Sequence, residues 1–247
     1  MTDDVRSTVL ITGGNKGLGF EAARRLGEEG WTIFLGSRDE GRGKAAADEL
    51  AAKGVNVVLV VLDVTSDESV ADAVLRVREH TDRLDVLINN AGAPGHAITP
   101  ADATVAEIHP VYDTNVYGPI RVTQAFLPLL KAAANPRVVM VSSGGGSFGV
   151  VTDPEQPVSK MHELAYSSSK AALNMLTVRY AQALPDIKFN AITPGEVANH
   201  KFAATDMNHH TGQLTVTEGT DSIIRMATIP ADGPTGTFTD RLGPVAW

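Results

Sequence analysis

Thr8-Val9-Leu10-Ile11-Thr12-Gly13-Gly14-Asn15-Lys16-Gly17-Leu18-Gly19-Phe20-Glu21-Ala22-Ala23 runs from a β-branched apolar segment through a glycine-rich turn into a helical pattern. The apolar run reads as a strand, and Leu18 to Glu29 as a helix. Glycines let the backbone turn tightly and approach a pyrophosphate, which the free N–H groups of a helix N-terminus stabilise. A tight strand-to-helix turn without a ligand would use glycines as well, so the reading depends on what surrounds the turn.

Outward from this turn, short apolar runs alternate with longer amphipathic stretches. Trp31 to Leu35, Val55 to Leu62, Val86 to Ile88 and Val138 to Val141 have the continuous apolar character of strands buried on both faces of a parallel sheet. Glu40 to Lys53, Asp67 to Thr81 and roughly Val111 to Ala134 read as helices. Thr65-Ser66-Asp67-Glu68 reads as a capping box with Thr65 as cap, and Val70, Ala73, Val74 and Val77 then recur on one face. Repeated β-α-β units predict a doubly wound α/β domain with a parallel sheet and helices on both faces. No linker, repeat or low-complexity segment divides residues 1–247, so one domain is expected. Ligands of such sheets sit beyond the carboxyl ends of the strands.

The composition of the 247 residues, 43% hydrophobic and 20% charged, is ordinary for a globular protein. A formal charge of −8 argues against nonspecific binding of nucleic acid. The absence of cysteine removes disulfides, thiolate-bound zinc and thiol nucleophiles. The seven histidines, including His200, His209 and His210, form no metal-ligand spacing, so no metal is expected. The acidic N-terminal start is unlike a secretory signal, and no apolar run approaches the ~20 residues of a membrane span. A cytoplasmic location is expected.

The spacing Gly13-x-x-x-Gly17-x-Gly19 resembles the signature of the short-chain dehydrogenase/reductase family, and the resemblance extends over nearly the whole chain. It implies a single Rossmann-like sheet of about seven parallel strands. Asn15, Lys16 and Leu18 fall within the implied cofactor turn. The second strand ends Ser37-Arg38, where an NAD site usually has an acidic residue for the ribose hydroxyls. A hydroxyl and a guanidinium at this position favour NADP(H), since Arg38 can pair with a 2′-phosphate at ~1.5–3 kcal/mol. Lys16 would add a second cation, as in NADP-preferring members. The alternative is that both are solvated surface cations, with Asp39 or Glu40 pairing to Arg38.

Asp63-Val64 matches the adenine-contacting position, although Asp63 alone reads equally well as a helix cap. Asn89-Asn90-Ala91-Gly92 matches the family's turn, in which Asn90 ties neighbouring strands together. Pro194-Gly195 matches the nicotinamide-side turn, with the backbone of Val197 facing the carboxamide. Either Asn199 or Thr205 stands for the threonine that follows in the family.

Tyr166-Ser167-Ser168-Ser169-Lys170 puts a phenol and an ammonium on one helix face. A free tyrosine titrates near pH 10 and a lysine near 10.4, and a neighbouring cation favours the phenolate. Tyr166 is thus the expected proton donor or acceptor, and Lys170 its electrostatic partner. The resemblance adds ribose binding for Lys170, carbonyl polarisation for Ser143 rather than Ser142, and a water-holding role for Asn115. Ser143 and Tyr166 stand 23 positions apart, wider than in many members. Carbonyl reductases of the family carry an insertion there, so the loop over 144–164 reads as a lid or as an inert surface loop.

The expected function is hydride transfer between NADP(H) and a carbonyl or alcohol substrate, as in a carbonyl reductase. Substrate loops at 93–100, 144–164 and 196–217 suit a moderately apolar ketone, aldehyde or quinone. Two other functions stay open: an NADP(H)-sensing binding protein, and a family enzyme with dehydratase or epimerase chemistry. The family forms homodimers and homotetramers, with monomers among members that carry the insertion.

Overall fold

The computed structural model describes residues 6–96 and 98–247. The acidic start at 1–5, and Ala97 of the 93–100 loop, lie outside the described residues. Seven parallel strands form the central sheet: β1 (Thr8–Ile11), β2 (Thr32–Ser37), β3 (Asn56–Val61), β4 (Val86–Asn89), β5 (Arg137–Val141), β6 (Lys188–Ile192) and, last in the chain, β9 (Thr237–Thr239). Their order is β3-β2-β1-β4-β5-β6-β9, so the strand order reverses between β1 and β4. A separate antiparallel hairpin pairs β7 (Gly195–Glu196) with β8 (Lys201–Phe202).

Alternate residues of each strand point to opposite faces and build two cores. Leu10, Phe34, Leu87, Met140 and Phe189 face one layer. This layer is closed by α3 (Asp67–Arg78), α5 (Gly118–Lys131) and α7 (Leu164–Ala183). Val9, Ile11, Ile33, Leu35, Ile88 and Val139 face the other layer. There α1 (Gly17–Glu28), α2 (Glu40–Ala52) and α8 (Val216–Ala227) pack on the sheet. Burial on both faces is why the strands read as continuous apolar runs. The run at 55–62 departs from that expectation because β3 is an edge strand, and its Val61 is 45% exposed.

Two helical expectations are corrected. The cap of α3 is Ser66, whose hydroxyl accepts from the Ser69 N–H at 3.2 Å, and not Thr65. Thr65 instead donates its N–H and hydroxyl to Asp63, at 2.9 and 2.7 Å. The helix expected from about Val111 begins earlier, as α4 (Val105–Tyr112), and runs through a π turn at Asp113–Tyr117 into α5. The sequence also signals α8, through Thr215-x-x-Glu218, where the Thr215 hydroxyl accepts from the Glu218 N–H at 3.2 Å. The insertion folds as a short helix, α6 (Phe148–Val151), and a 3-10 turn at Pro157–Lys160. No helix among the described residues is long and apolar enough to cross a membrane.

Candidate active site

The glycine turn lies at the carboxyl end of β1, where the strand order reverses. Gly17 has φ +56, a conformation that a side chain resists. Gly19 is constrained by space, since a Cβ there would lie 2.5 Å from Asn90 Nδ2 and 2.8 Å from the Gly13 carbonyl oxygen. No side chain caps the N-terminus of α1, which leaves its first N–H groups without a side-chain partner among the described residues. Asn15 is half-buried and Lys16 exposed, while Leu18 packs on the α1–α8 core.

The Gly14 N–H donates to the Gly36 carbonyl at 2.8 Å and brings the end of β2 beside the turn. Ser37 is buried, and its hydroxyl donates to the Asp39 carbonyl at 2.8 Å. Ser37 therefore shapes its own turn. Arg38 is exposed and makes no hydrogen bond or salt bridge among the described residues. Asp39, which had offered a partner for Arg38, caps α2 and pairs with Arg42 instead. Asp63 holds a local turn after β3. Burial pushes its carboxyl up, but the two hydrogen bonds from Thr65 outweigh this and leave it below the usual carboxylate range. Val64 is buried beneath Gly118 of α5.

Asn90 ties strands together as expected, donating to the carbonyls of Thr12 and Gly13 at 2.9 and 3.1 Å. The Thr12 hydroxyl in turn accepts from the N–H groups of Asn90 and Ala91, at 3.0 and 2.9 Å. Thr12 was not among the expected residues, yet it fixes the two turns relative to each other. Gly92 follows, with Asn115 and Lys170 beside it.

Beyond β5, Ser142 and Ser143 diverge. Ser142 is buried and donates to Asn174 Oδ1 at 2.6 Å. Asn174 also donates to the Gly146 carbonyl at 3.0 Å and so clamps the turn onto α7. Ser143 Oγ accepts from the Gly145 N–H at 3.1 Å, which leaves its own proton to donate. Burial pushes the Tyr166 phenol above its ordinary value. The Ser143 hydroxyl beside it acts in the opposite direction, and Glu163 adds to the rise. This corrects the expected depression by lysine. Lys170 is 3% exposed, its Nζ donates to the Val141 carbonyl at 2.9 Å, and burial brings its pKa down to about 8. Its ammonium lies 5.6 Å from the Tyr166 ring centre. Asn115, on the π turn, is buried and satisfied by the chain itself. Its Oδ1 accepts from the Ala93 N–H at 2.8 Å, and its Nδ2 donates to the Ala93 carbonyl and to Ser169 Oγ at 2.9 and 3.0 Å.

Past β6, Pro194 and Gly195 lead into the hairpin. The Val197 N–H is donated to Asp240 Oδ2 at 2.8 Å, so its expected place facing a carboxamide is corrected. Asp240 also accepts from Leu242 and Gly243, and its burial makes it the anchor of this turn. Asn199 donates to Glu196 at 2.8 Å and is thereby turned to its own hairpin. Thr205 begins the tip of a loop whose ends meet: the Ala204 N–H donates to the Leu214 carbonyl, and the Leu214 N–H to that of Phe202, at 2.8 and 3.0 Å. At the tip, Lys16 Nζ donates to Asp206 Oδ2 at 2.6 Å, and Met207 reaches Gly92. Among the described residues no group of side chains could hold a metal ion.

The chain is similar to known proteins over nearly its whole length. The family model for short chain dehydrogenase matches residues 7–211. A (+)-neomenthol dehydrogenase of Arabidopsis thaliana is 32% identical, with 98% of each chain covered. A (-)-isopiperitenone reductase of Mentha piperita is also 32% identical, over 96% of this chain and 97% of its own. The crystal structure of NADPH-bound carbonyl reductase from chicken fatty liver superimposes with a TM-score of 0.84 at 29% identity, covering 98% of this chain and 100% of that one.

Proposed function

We propose that this chain, which belongs to the short-chain dehydrogenase family and is an oxidoreductase of carbonyl and alcohol substrates, uses NADP(H) and works as a carbonyl reductase. The observation that carries the reading is the meeting of Ser143, Tyr166 and Lys170 beyond β5, beside the Gly92 turn and one strand away from the glycine turn. The cradle suits a dinucleotide: Gly17 has the backbone a close approach requires, and the α1 N-terminus carries no side-chain cap. When bound, the nicotinamide supplies or accepts the hydride.

The chain's own groups do the rest. Ser143 donates its proton to the substrate carbonyl oxygen, and Tyr166 gives that oxygen a proton in reduction or takes it in oxidation. The lysine lies close enough to favour the phenolate once its ammonium is turned toward the site, and it holds a ribose hydroxyl. Asn115 positions the Ala93 backbone and Ser169, the neighbour of Lys170. The glycine turn, with Asn15 and Leu18, holds the pyrophosphate, and Asn90, Ala91 and Gly92 flank the nicotinamide half. Asp63 and Val64 border the adenine, and Pro194 and Gly195 the nicotinamide. NADP(H) over NAD(H) is supported by Arg38, an exposed guanidinium at the end of β2 that makes no salt bridge among the described residues, although its charge reaches the Asp63 carboxylate. Exposed Phe148, Met161, Leu164 and Met207 on the flanking loops favour an apolar carbonyl substrate.

Thermal stabilisation by NADPH and by NADH tests the reading, with ~2.7 kcal/mol expected at one hundred times the dissociation constant. NADPH should act at far lower concentration than NADH. The Tyr166→Phe variant should keep that response and lose carbonyl reduction by ~100-fold or more. Equal turnover in the variant would remove Tyr166 from the chemistry, and indifference to both nucleotides would remove the cofactor site.

A further inference from the structure

Lys16 stands at the head of α1 on a long, exposed side chain, and the fold gives that chain two directions. Arg38, at the end of β2, lies on one flank of β1. On the other flank come β4, β5 and β6, and β6 leads into the loop that carries Asp206. In the structure the ammonium is turned to this second flank, with Nζ 2.6 Å from Asp206 Oδ2. Asp206 also receives His210 Nε2 at 2.9 Å, and both members of the lysine pair are more than half exposed, at 61% and 54%. The loop backbone is bent to present the carboxylate, with His209 and His210 in the left-handed region at φ 52 and 57.

The tip therefore occupies the cation that the family resemblance offers, beside Arg38, to a 2′-phosphate. A carboxylate and a phosphate dianion repel, and an ammonium drawn toward one flank is withdrawn from the other. We propose that Asp206 is a cofactor-specificity residue, which competes with the 2′-phosphate for Lys16 and holds down the affinity for the phosphorylated nucleotide. This inference rests on the NADP(H) reading and adds to it a residue from the substrate side of the cleft. An exposed ion pair is a weak tie, so the competition amounts to about two- to fivefold in affinity, and salt reduces it.

The test titrates adenosine 2′,5′-bisphosphate and adenosine 5′-monophosphate, which differ only in the 2′-phosphate, into four proteins: wild type, Asp206→Asn, Lys16→Ala and the double variant. The Asp206→Asn change should tighten the bisphosphate about two- to fivefold and leave the monophosphate unchanged. In the Lys16→Ala background the gain should vanish. A gain that persists without the lysine would show that Asp206 acts as a charge at a distance, and the proposal fails. It fails equally if Asp206→Asn tightens nothing in a protein that prefers the bisphosphate. A wild type with no such preference would overturn the NADP(H) reading itself, a different result from either.

Discussion

Lys170 is kept charged at a cost that its removal should reveal. Burial lowers its pKa from 10.5 to about 8, against one hydrogen bond to the Val141 carbonyl. At pH 7 the lysine is protonated both folded and unfolded, so the full desolvation penalty is present. As the pH rises through 8 the folded protein sheds the proton before the unfolded chain does, and the penalty is relieved up to about 10.5. Lys170→Met is therefore expected to exceed wild type in stability at pH 7 by roughly 1–3 kcal/mol, to lose that margin near pH 10, and to lose turnover. Denaturant melts at the two pH values check this, and a variant less stable than wild type at pH 7 refutes it. The tyrosine and lysine were legible in the sequence because their spacing follows helix geometry, and the second serine through the family resemblance. What could not be read was the state of each group. The phenol is raised because burial outweighs the hydrogen bond from the Ser143 hydroxyl, and Glu163 adds to the rise. The Val197 amide goes to Asp240, 43 positions away, a pairing that no local pattern announces.

Two glycines in one turn make the argument at the scale of the element. The space around Gly17 is open but its φ is +56, whereas a Cβ on Gly19 would meet Asn90 Nδ2 and the Gly13 carbonyl. Gly17→Ala should cost about 1–2 kcal/mol through strain alone and keep the turn in place. Gly19→Ala should push α1 away from the Asn90 clamp and abolish stabilisation by NADP+, read in melts with and without the nucleotide. Equal binding by both variants would contradict the geometry. The turn was legible because glycine is the residue such backbone demands. The helix carrying Asn115 was less so. Pro110 suits the first turn of a helix, so a start near Val111 is the natural reading. The chain instead begins the helix at Val105 and absorbs the irregularity in a π turn at Asp113–Tyr117. That turn carries Asn115 inward to join Ala93 to Ser169, as π turns commonly do at functional sites.

Across the whole molecule, the last residues strap the insertion to the sheet. The Ser147 hydroxyl donates to the Ala246 carbonyl at 2.7 Å, the Gly149 N–H to that of Trp247 at 2.9 Å, and Trp247 stacks on Phe238 of β9 at 5.6 Å. Trp247→Ala should thus loosen α6, at about 1–2 kcal/mol of stability for a ring that is 38% exposed, and raise KM for a carbonyl substrate several-fold. An unchanged KM would show that the strap and the insertion take no part in substrate binding. The parallel sheet was legible throughout its first five strands, whose runs are apolar because both faces are covered, except at the edge strand β3. The seventh was not, since Thr237-Phe238-Thr239 is too short to carry a pattern. One more consequence belongs to this scale. The loop from Ala203 to Leu214 leaves and rejoins the fold at a single backbone bridge. Closing a longer loop costs little extra entropy, so the segment is an exchangeable cassette. A rewritten tip would change what the cleft admits and, through Asp206, the hold on Lys16 as well.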